Sequence, residues 1–310
     1  MPYISSAPES ILVLGAGELG MAVLRGLAQQ RGSAVGPTLS VLVRPPPPGE
    51  PDGAWNRRAD GLAALGVEVV QADIAADSRE ALAKLFRGFC TIISCTGFVA
   101  GLGTQRKITA AILDAGTFRY VPWQFGVDYD AIGRGSGQDV WDEQLDVRDM
   151  LRAQDRTAWT IVSTGIFTSF LFDPGFGVVD LAQPRVAALG SWDNRVTATT
   201  SEDIGRLTAA ILAAEPRIDG VAFVAGDTLS YAELAEAVER HQGRKVERIL
   251  WTVPELARDA AAHPSDEFRK YRLAFARDNG VAFDKAGTFN ALRGIDLTDV
   301  PGWLTAQSAA

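Results

Sequence analysis

The chain has 310 residues, 47% of them apolar, with 30 Lys and Arg against 38 Asp and Glu for a net charge of −8. This composition predicts a soluble globular protein, and a length at which one compact core stops growing predicts a large domain with a smaller lobe. The acidic balance, with no basic run longer than two residues, excludes a surface built to displace counterions from nucleic acid or an anionic membrane.

From Ile11 onward, short β-branched runs alternate with helical patterns, the signature of an α/β fold with a doubly wound, Rossmann-type parallel sheet. The expected strands are Ile11–Leu14, Leu39–Val43, Val67–Val70, Thr91–Ser94, Arg119–Val121, Thr160–Val162 and Val221–Val224. Helices are expected near Leu19–Gln29, Arg58–Leu65, Arg79–Phe86, Gln105–Ala115, Val140–Gln154 and Ile204–Ala214. Pro45–Pro48 reads as a stiff connector. Two insertions, Phe167–Val196 and Asp227 to the C-terminus, break the rhythm and predict a C-terminal substrate lobe over the edge of the sheet. Within the second, Ser230-Tyr-Ala-Glu233 reads as a capping box opening a helix through Arg240. A further helix is expected after Ser265, with Phe268, Tyr271, Leu273 and Phe275 as its apolar side. The expected division is a nucleotide-binding domain over residues 1–166 and mainly substrate-binding lobe over 167–310, with 197–226 returning to the first domain.

Several chemistries are excluded by scarcity. The only histidines are His241 and His263, and Cys90 and Cys95 form no CxxC, so a zinc site has too few ligands and no metal is expected. Ser94 and Ser163 have no evident His base and GxSxG is absent, which argues against a triad hydrolase. The cysteines lie in an apolar stretch and are expected as reduced core thiols. The first ten residues carry no basic, apolar leader pattern, and no segment approaches the roughly 20 apolar residues of a membrane span. A cytoplasmic location is expected, as a monomer or homodimer without membrane or nucleic-acid partners.

The strongest positive signal is Ile11-Leu-Val-Leu-Gly15-Ala-Gly17-Glu18-Leu19-Gly20, a strand running through GxGxxG into a helix. Gly15 permits the tight turn, Gly17 lets backbone approach a pyrophosphate, and Gly20 permits close helix–strand packing, while the helix start offers N–H donors to the anion. A bare GxGxxG is weak evidence, but its place after the first strand of an alternating chain points to dinucleotide binding. The second strand ends in Arg44, where NAD enzymes place an acid for the ribose 2′-hydroxyl. A guanidinium there suits a 2′-phosphate, so NADP(H) is the expected cofactor; the plainer reading is a solvated Arg before the proline loop. Asp73, past the third strand, is a candidate acceptor for the adenine amino group or an ordinary loop Asp.

Ligands of open α/β sheets bind at the carboxyl ends of the strands. Here those ends carry Ser94-Cys-Thr96-Gly97-Phe98, Pro122-Trp123-Gln124-Phe125-Gly126 and Ser163-Thr164-Gly165-Ile-Phe167. Thr96, Gly97, Trp123 and Phe125 are candidate cofactor contacts, and Phe98, Trp123 and Phe167 a candidate wall for a small aromatic substrate, although each aromatic alone is more often core. In the helix after the fifth strand, Val140, Gln144, Val147 and Leu151 are spaced +4, +3 and +4, which puts Gln144 within an apolar stripe. An inward Gln is either hydrogen-bonded by backbone or aimed into the cleft to polarise a substrate oxygen, but it cannot act as acid or base near neutral pH.

Tyr120-Val-Pro-Trp-Gln-Phe-Gly126-Val-Asp128, Trp159-Thr-Ile-Val-Ser-Thr-Gly165-Ile-Phe167, Ala225-Gly-Asp227-Thr-Leu-Ser-Tyr-Ala-Glu233 and Thr288-Phe-Asn290-Ala-Leu-Arg-Gly294 complete a pattern over nearly the whole chain. It resembles the NmrA-like and isoflavone-reductase-like branch of atypical short-chain dehydrogenases. The resemblance implies an NADPH-dependent oxidoreductase acting on a phenylpropanoid- or isoflavone-like compound by hydride transfer, or a catalytically silent NADP sensor. Reductases of that family carry a Lys where an ungapped reading places Gln144, and the Tyr-x-x-x-Lys pair of standard members falls on Val140 and Gln144. The expected centre is therefore Gln144 and Thr164 holding a substrate oxygen, with water, a cofactor ribose hydroxyl, or a residue such as Asp128, Tyr129, Asp142 or Thr164 as proton source. A quinone methide or an iminium, which needs no enzymic proton, fits better than a simple ketone. An NADP(H)-sensing regulator and a cofactor-assisted cyclase or isomerase remain the alternatives.

Overall fold

A computed structural model describes residues 9–31, 36–45 and 60–308. The chain divides into two compact units, one of Met1–Trp123, Asp146–Ile161 and Gly205–Val221, the other of Gln124–Leu145, Val162–Ile204 and Ala222–Ala310. No helix among the described residues is long and apolar enough to cross a membrane.

The strands, in chain order, are β1 Ser10–Leu14, β2 Thr38–Val43, β3 Val67–Gln71, β4 Thr91–Ser94, β5 Arg119–Val121, β6 Ala158–Ser163, β7 Ile166–Phe167, β8 Val179–Asp180, β9 Arg185–Leu189, β10 Arg195–Thr199, β11 Gly220–Phe223, β12 Asp227–Ser230 and β13 Glu247–Trp251. The first unit is built on a seven-stranded sheet of order β11-β6-β5-β4-β1-β2-β3. Pairings among β1 to β6 are parallel. Ile11 to Leu14 are at most 5% exposed, because a central parallel strand is covered on both faces and tolerates no polar alternation. One layer of core joins Leu12, Leu14 and Leu42 to Leu82 and Phe86 of the helix Arg79–Phe86 and to Ile108 and Ile112 of the helix Thr104–Ala115. The strand order reverses between β1 and β4, which makes the gap above their carboxyl ends the topological switch point.

All seven expected strands are present, four of the main helices among the described residues start or end one to three residues from the expected positions, and Arg79–Phe86 is as expected. The expected helix at Arg58–Leu65 is seen as helical residues 60–64, with 58 and 59 outside the described residues, as are Pro46 to Pro48.

The second unit contains two three-stranded sheets, β12-β10-β7 and β13-β9-β8. These strands are two to five residues long and half of their pairings are antiparallel. Strands β8, β9, β12 and β13 lie within the expected insertions, while β7 starts one residue before the first and β10 runs three residues past it; runs this short give no periodicity long enough to read, so none was predicted individually. The largely aliphatic core of this unit contains a ring cluster, in which Trp141 meets Tyr129, Tyr271 and Phe275 at ring-centroid distances of 6.0, 6.2 and 5.3 Å. Tyr271 and Phe275 come from the expected helix, observed as Glu267–Phe275. The Ser230 box forms as expected, with Glu233 N–H donating to Ser230 Oγ at 3.1 Å and Ser230 N–H to Glu233 Oε2 at 2.7 Å. Asn290 clamps Ala225 by giving and taking one hydrogen bond of 3.1 Å each.

At the amino end of β5, the Arg119 guanidinium is 6% exposed and donates to the terminal carbonyl of the helix Ser201–Leu212, at 2.7 Å from Leu212 O, and to Thr160 Oγ1 at 3.4 Å. Desolvation lowers its pKa below that of a free guanidinium, and the helix carbonyl end compensates the buried charge. Arg119→Met leaves Leu212 O buried without that donor, and urea unfolding is expected to show a loss of about 2 kcal/mol; an unchanged midpoint would mean that the helix end is satisfied otherwise.

Candidate functional site

The glycine loop occupies the switch point of the first unit. Gly15 N–H donates to Leu42 O at 2.9 Å, so the turn after β1 is tied to β2, and Gly15 adopts φ +93°, where a side chain is strained. A Cβ on Gly20 would lie 2.0 Å from Gly15 O, so only glycine lets the helix Glu18–Arg31 start this close to the strand. Gly17 has the opposite environment: a Cβ there would meet nothing within 4 Å. Leu19 is buried and Glu18 exposed, so Leu19 anchors the helix start while the Gly17 backbone faces open space. The first N–H groups of a helix have no intrahelical acceptors and carry its positive dipole end. A backbone that is open at Gly17 and locked at Gly15 and Gly20 fits a pyrophosphate.

Arg44 follows the last residue of β2 and is exposed. Asp73 is half-buried, and its Oδ1 accepts from Ala75 N–H at 2.8 Å and Ala76 N–H at 3.2 Å, so this carboxylate shapes the turn after β3. On the β4 side, Thr96 Cγ2 lies 3.1 Å from the position of a Gly15 Cβ, so the two strand ends abut. Ser94 Oγ and Thr96 Oγ1 are buried without a hydrogen-bond partner, an unusual concentration of unmet polar atoms at one strand end. Cys95 is buried beside them and burial pushes its thiol well above the ordinary range; both cysteines are free. Gly97 passes Trp123, whose ring takes the edge of Phe98 at 5.3 Å and 86°. The first unit thus brings together Gly15, Gly17, Glu18, Leu19, Gly20, Thr96, Gly97, Phe98 and Trp123, and places Arg44 and Asp73 at the ends of β2 and β3.

In the second unit, Gln144 lies in the helix Asp139–Arg152 and is 0% exposed, with neither Nε2 nor Oε1 hydrogen-bonded. Of the two readings of this inward amide, satisfaction by backbone is not what the structure shows. Its own carbonyl accepts from Gln124 Nε2 at 2.9 Å. Gly126 O in turn accepts from Thr164 N–H and Gly165 N–H at 2.9 Å each, so one turn, residues 124–126, ties Gln144 to Thr164. Gln124, fully buried, is the residue that sequence reasoning passed over; its position in the Pro-Trp-Gln-Phe-Gly run was the available signal. Thr164 is 0% exposed, and its hydroxyl donates only at 3.4 Å to Gly165 O. Asp128 caps the helix Tyr129–Ile132, accepting from Ala131 N–H at 3.3 Å. Phe125 is buried and Phe167 half-buried at the end of β7.

The NmrA-like family profile matches residues 8–287. An NmrA-like family domain-containing oxidoreductase of Gibberella moniliformis is 45% identical over 300 residues, 96% of this chain and 97% of the relative. Eugenol synthase 1 of Petunia hybrida is 25% identical over 262 residues, 82% of this chain and 81% of its own. Among solved structures, leucoanthocyanidin reductase of Vitis vinifera in its binary complex with NADPH has a TM-score of 0.79 at 19% identity, covering 97% of this chain and 100% of that one, a likeness of fold. The chain belongs to the NmrA-like family, as one of its oxidoreductases.

Two substitutions separate the roles of the loop glycines. Gly20→Ala is expected to disrupt the helix start, lowering thermal stability and abolishing dinucleotide binding together. Gly17→Ala is expected to leave circular dichroism and melting unchanged while weakening NADPH binding at least about tenfold in calorimetry, because its methyl group fills the ligand's space. Unweakened binding to folded Gly17→Ala would place the pyrophosphate elsewhere.

Proposed function

We propose that the protein is an NADPH-dependent reductase of a small, flat, conjugated compound. The observation that carries this reading is the loop at the switch point, locked at Gly15 and Gly20, open at Gly17, with exposed Arg44 one strand away. In this reading Gly15, Gly17, Glu18, Leu19 and Gly20 hold the pyrophosphate through backbone, and Arg44 pairs with the 2′-phosphate. Asp73 shapes the adenine side, and Thr96, Gly97 and Trp123 line the nicotinamide portion. The bound cofactor supplies a hydride. The relatives support the direction, since the Vitis vinifera enzyme was solved with NADPH and eugenol synthase is named for an aromatic product.

Gln144 is assigned to the substrate oxygen. A buried primary amide with both ends unmet costs several kcal/mol, and the protein itself supplies neither partner. The amide is fully enclosed, so a ligand reaches it through movement of the chain that covers it. Thr164, tied to the same turn, and the Asp128 cap hold the geometry. None of the three supplies a catalytic proton as Lys would: Gln144 and Thr164 do not titrate near neutral pH, and Asp128 is engaged in its cap. Asp142 is likewise engaged, accepting from Gly135 N–H at 3.0 Å, and Tyr129 is buried against Trp141, so the proton is assigned to water or a cofactor ribose hydroxyl. A second reading, an NADP(H)-responsive regulator, draws on the same enclosed and neutral Gln144.

Three measurements test this reading. Arg44→Ala is expected to weaken NADPH binding about 10–100-fold and leave NADH binding nearly unchanged; equal effects on both would detach Arg44 from the 2′-phosphate. Gln144→Leu is expected to raise stability by about 1–2 kcal/mol, because it removes unmet polar atoms, while lowering turnover at least about a hundredfold. Retained turnover would leave Gln144 a purely structural anomaly. With His241 and His263 both outside the candidate centre, kcat is expected to vary less than about threefold between pH 6 and 9. A bell-shaped profile would reveal an acid that this assignment omits.

A further inference from the structure

A cavity of about 170 Å³ lies at the amino ends of β1, β4 and β5, the edge of the first unit's sheet opposite the glycine loop. Ile11 pairs with Thr91 and Thr91 with Arg119, so these three side chains stand in one row on one face of the sheet. The helices Glu18–Arg31 and Ser201–Leu212 end beside that row and supply Leu27, Ala209 and Leu212 as an apolar wall. The lining runs from exposed Glu9 and Gln30 to buried Ile11, Leu27, Thr91 and Ala209, which gives the cavity a mouth and a floor. The floor holds unmet polar groups. Of the five N–H donors of a guanidinium, the Arg119 bonds to Leu212 O and Thr160 Oγ1 engage two, and Nε is buried without a partner among the described residues. Thr91, 1% exposed, likewise leaves Oγ1 unmet. Buried polar atoms in native proteins are nearly always hydrogen-bonded, so two unmet ones from adjacent strands beside one cavity call for an acceptor that the chain does not supply.

Charge and size narrow that acceptor. Arg31 and Arg119 are set against Glu9 and the carboxyl ends of two helices, each end equivalent to roughly half a negative charge, so the surroundings nearly cancel and a ligand of either sign is left uncompensated. An apolar cavity of about 150 Å³ accepts benzene, so this one suits a single six-membered ring. We propose that the cavity is a binding site for a small uncharged carbonyl compound, whose oxygen accepts from Arg119 and Thr91 while its ring lies against Ile11, Leu27, Ala209 and Leu212. The length of β1 separates this site from the glycine loop, and the proposal does not rest on the reductase reading. Nε and Oγ1 are closed off from solvent, so the ligand engages them through a side-chain shift at Arg119, whose bond to Thr160, at 3.4 Å, is long. The bond to Leu212 O meanwhile keeps the guanidinium at the helix end.

The test is calorimetric titration of the full chain with three probes of similar size, cyclohexanone, cyclohexanecarboxylate and cyclohexylammonium. Cyclohexanone is expected to bind saturably, and each charged analogue at least about tenfold more weakly. Ala209→Leu fills the cavity from a helix position that suits leucine, and is expected to abolish cyclohexanone binding with circular dichroism unchanged. Thr91→Val removes an unmet buried hydroxyl, so folding is kept, and is expected to weaken cyclohexanone binding about fivefold through the loss of one hydrogen bond. Undiminished binding to either folded variant would locate the probe elsewhere and overturn the proposal. Tighter binding of the carboxylate than of the ketone, or no saturable binding of cyclohexanone to the unaltered chain, would overturn it as well.

Discussion

The first unit depends on one close approach. The helix Glu18–Arg31 begins so near the end of β1 that a methyl group at position 20 would fall 2.0 Å from Gly15 O. That contact fixes the direction of the helix, aims its N–H end across the switch point, and leaves the Gly17 backbone as the loop's open surface. It is sustained by the burial of β1, which pairs on both sides and exposes almost none of Ile11 to Leu14, so the strand that carries the loop has no freedom to yield. The polar atoms left unmet at Ser94 and Thr96 lie at the end of the adjacent strand, so rigidity and unsatisfied hydrogen bonding coincide there.

The second unit follows a similar logic with different means. The turn at residues 124–126 holds the helix carrying Gln144 through Gln124 and the start of the segment after β6 through Gly126. Around it, the Tyr129, Trp141, Tyr271 and Phe275 rings supply large apolar area at fixed edge-to-face geometry. Gln144 leaves both ends of its amide unmet, whereas Gln138 Nε2, Ser163 Oγ and Arg185 Nε of this unit leave one buried atom each. An apolar residue at position 144 would pack without leaving polar atoms unmet, so the amide is a cost in stability that packing alone does not offset.

Much of the fold was legible because its signals are local and repeated. The central strands read as apolar runs, the helices as 3.6-residue patterns, the glycine loop as three residues whose spacing reflects three separate steric demands, and the Ser230 capping box as a four-residue signature. The small strands β7 to β10, β12 and β13 were not individually legible, since two to five residues hold too few alternations to define a period. The burial of Gln144 could be read from its place in the apolar stripe, but its lack of a partner could not. Gln124 was missed for the same reason: a glutamine between Trp123 and Phe125 gives no sign that its amide reaches a helix carbonyl twenty residues later.

By itself the sequence determined the alternating architecture, the GxGxxG loop after the first strand and the place of a neutral amide, Gln144, within an apolar stripe, because each is a property of residue type and spacing along the chain. Only the tertiary structure decided which polar atoms remain unmet, that Asp73 and Asp128 are engaged in turns and caps, and that Thr91 and Arg119 stand side by side at a cavity. Those outcomes depend on which groups meet across long chain separations. Hydrogen-bond satisfaction and exposure are properties of that meeting, and no local pattern encodes them.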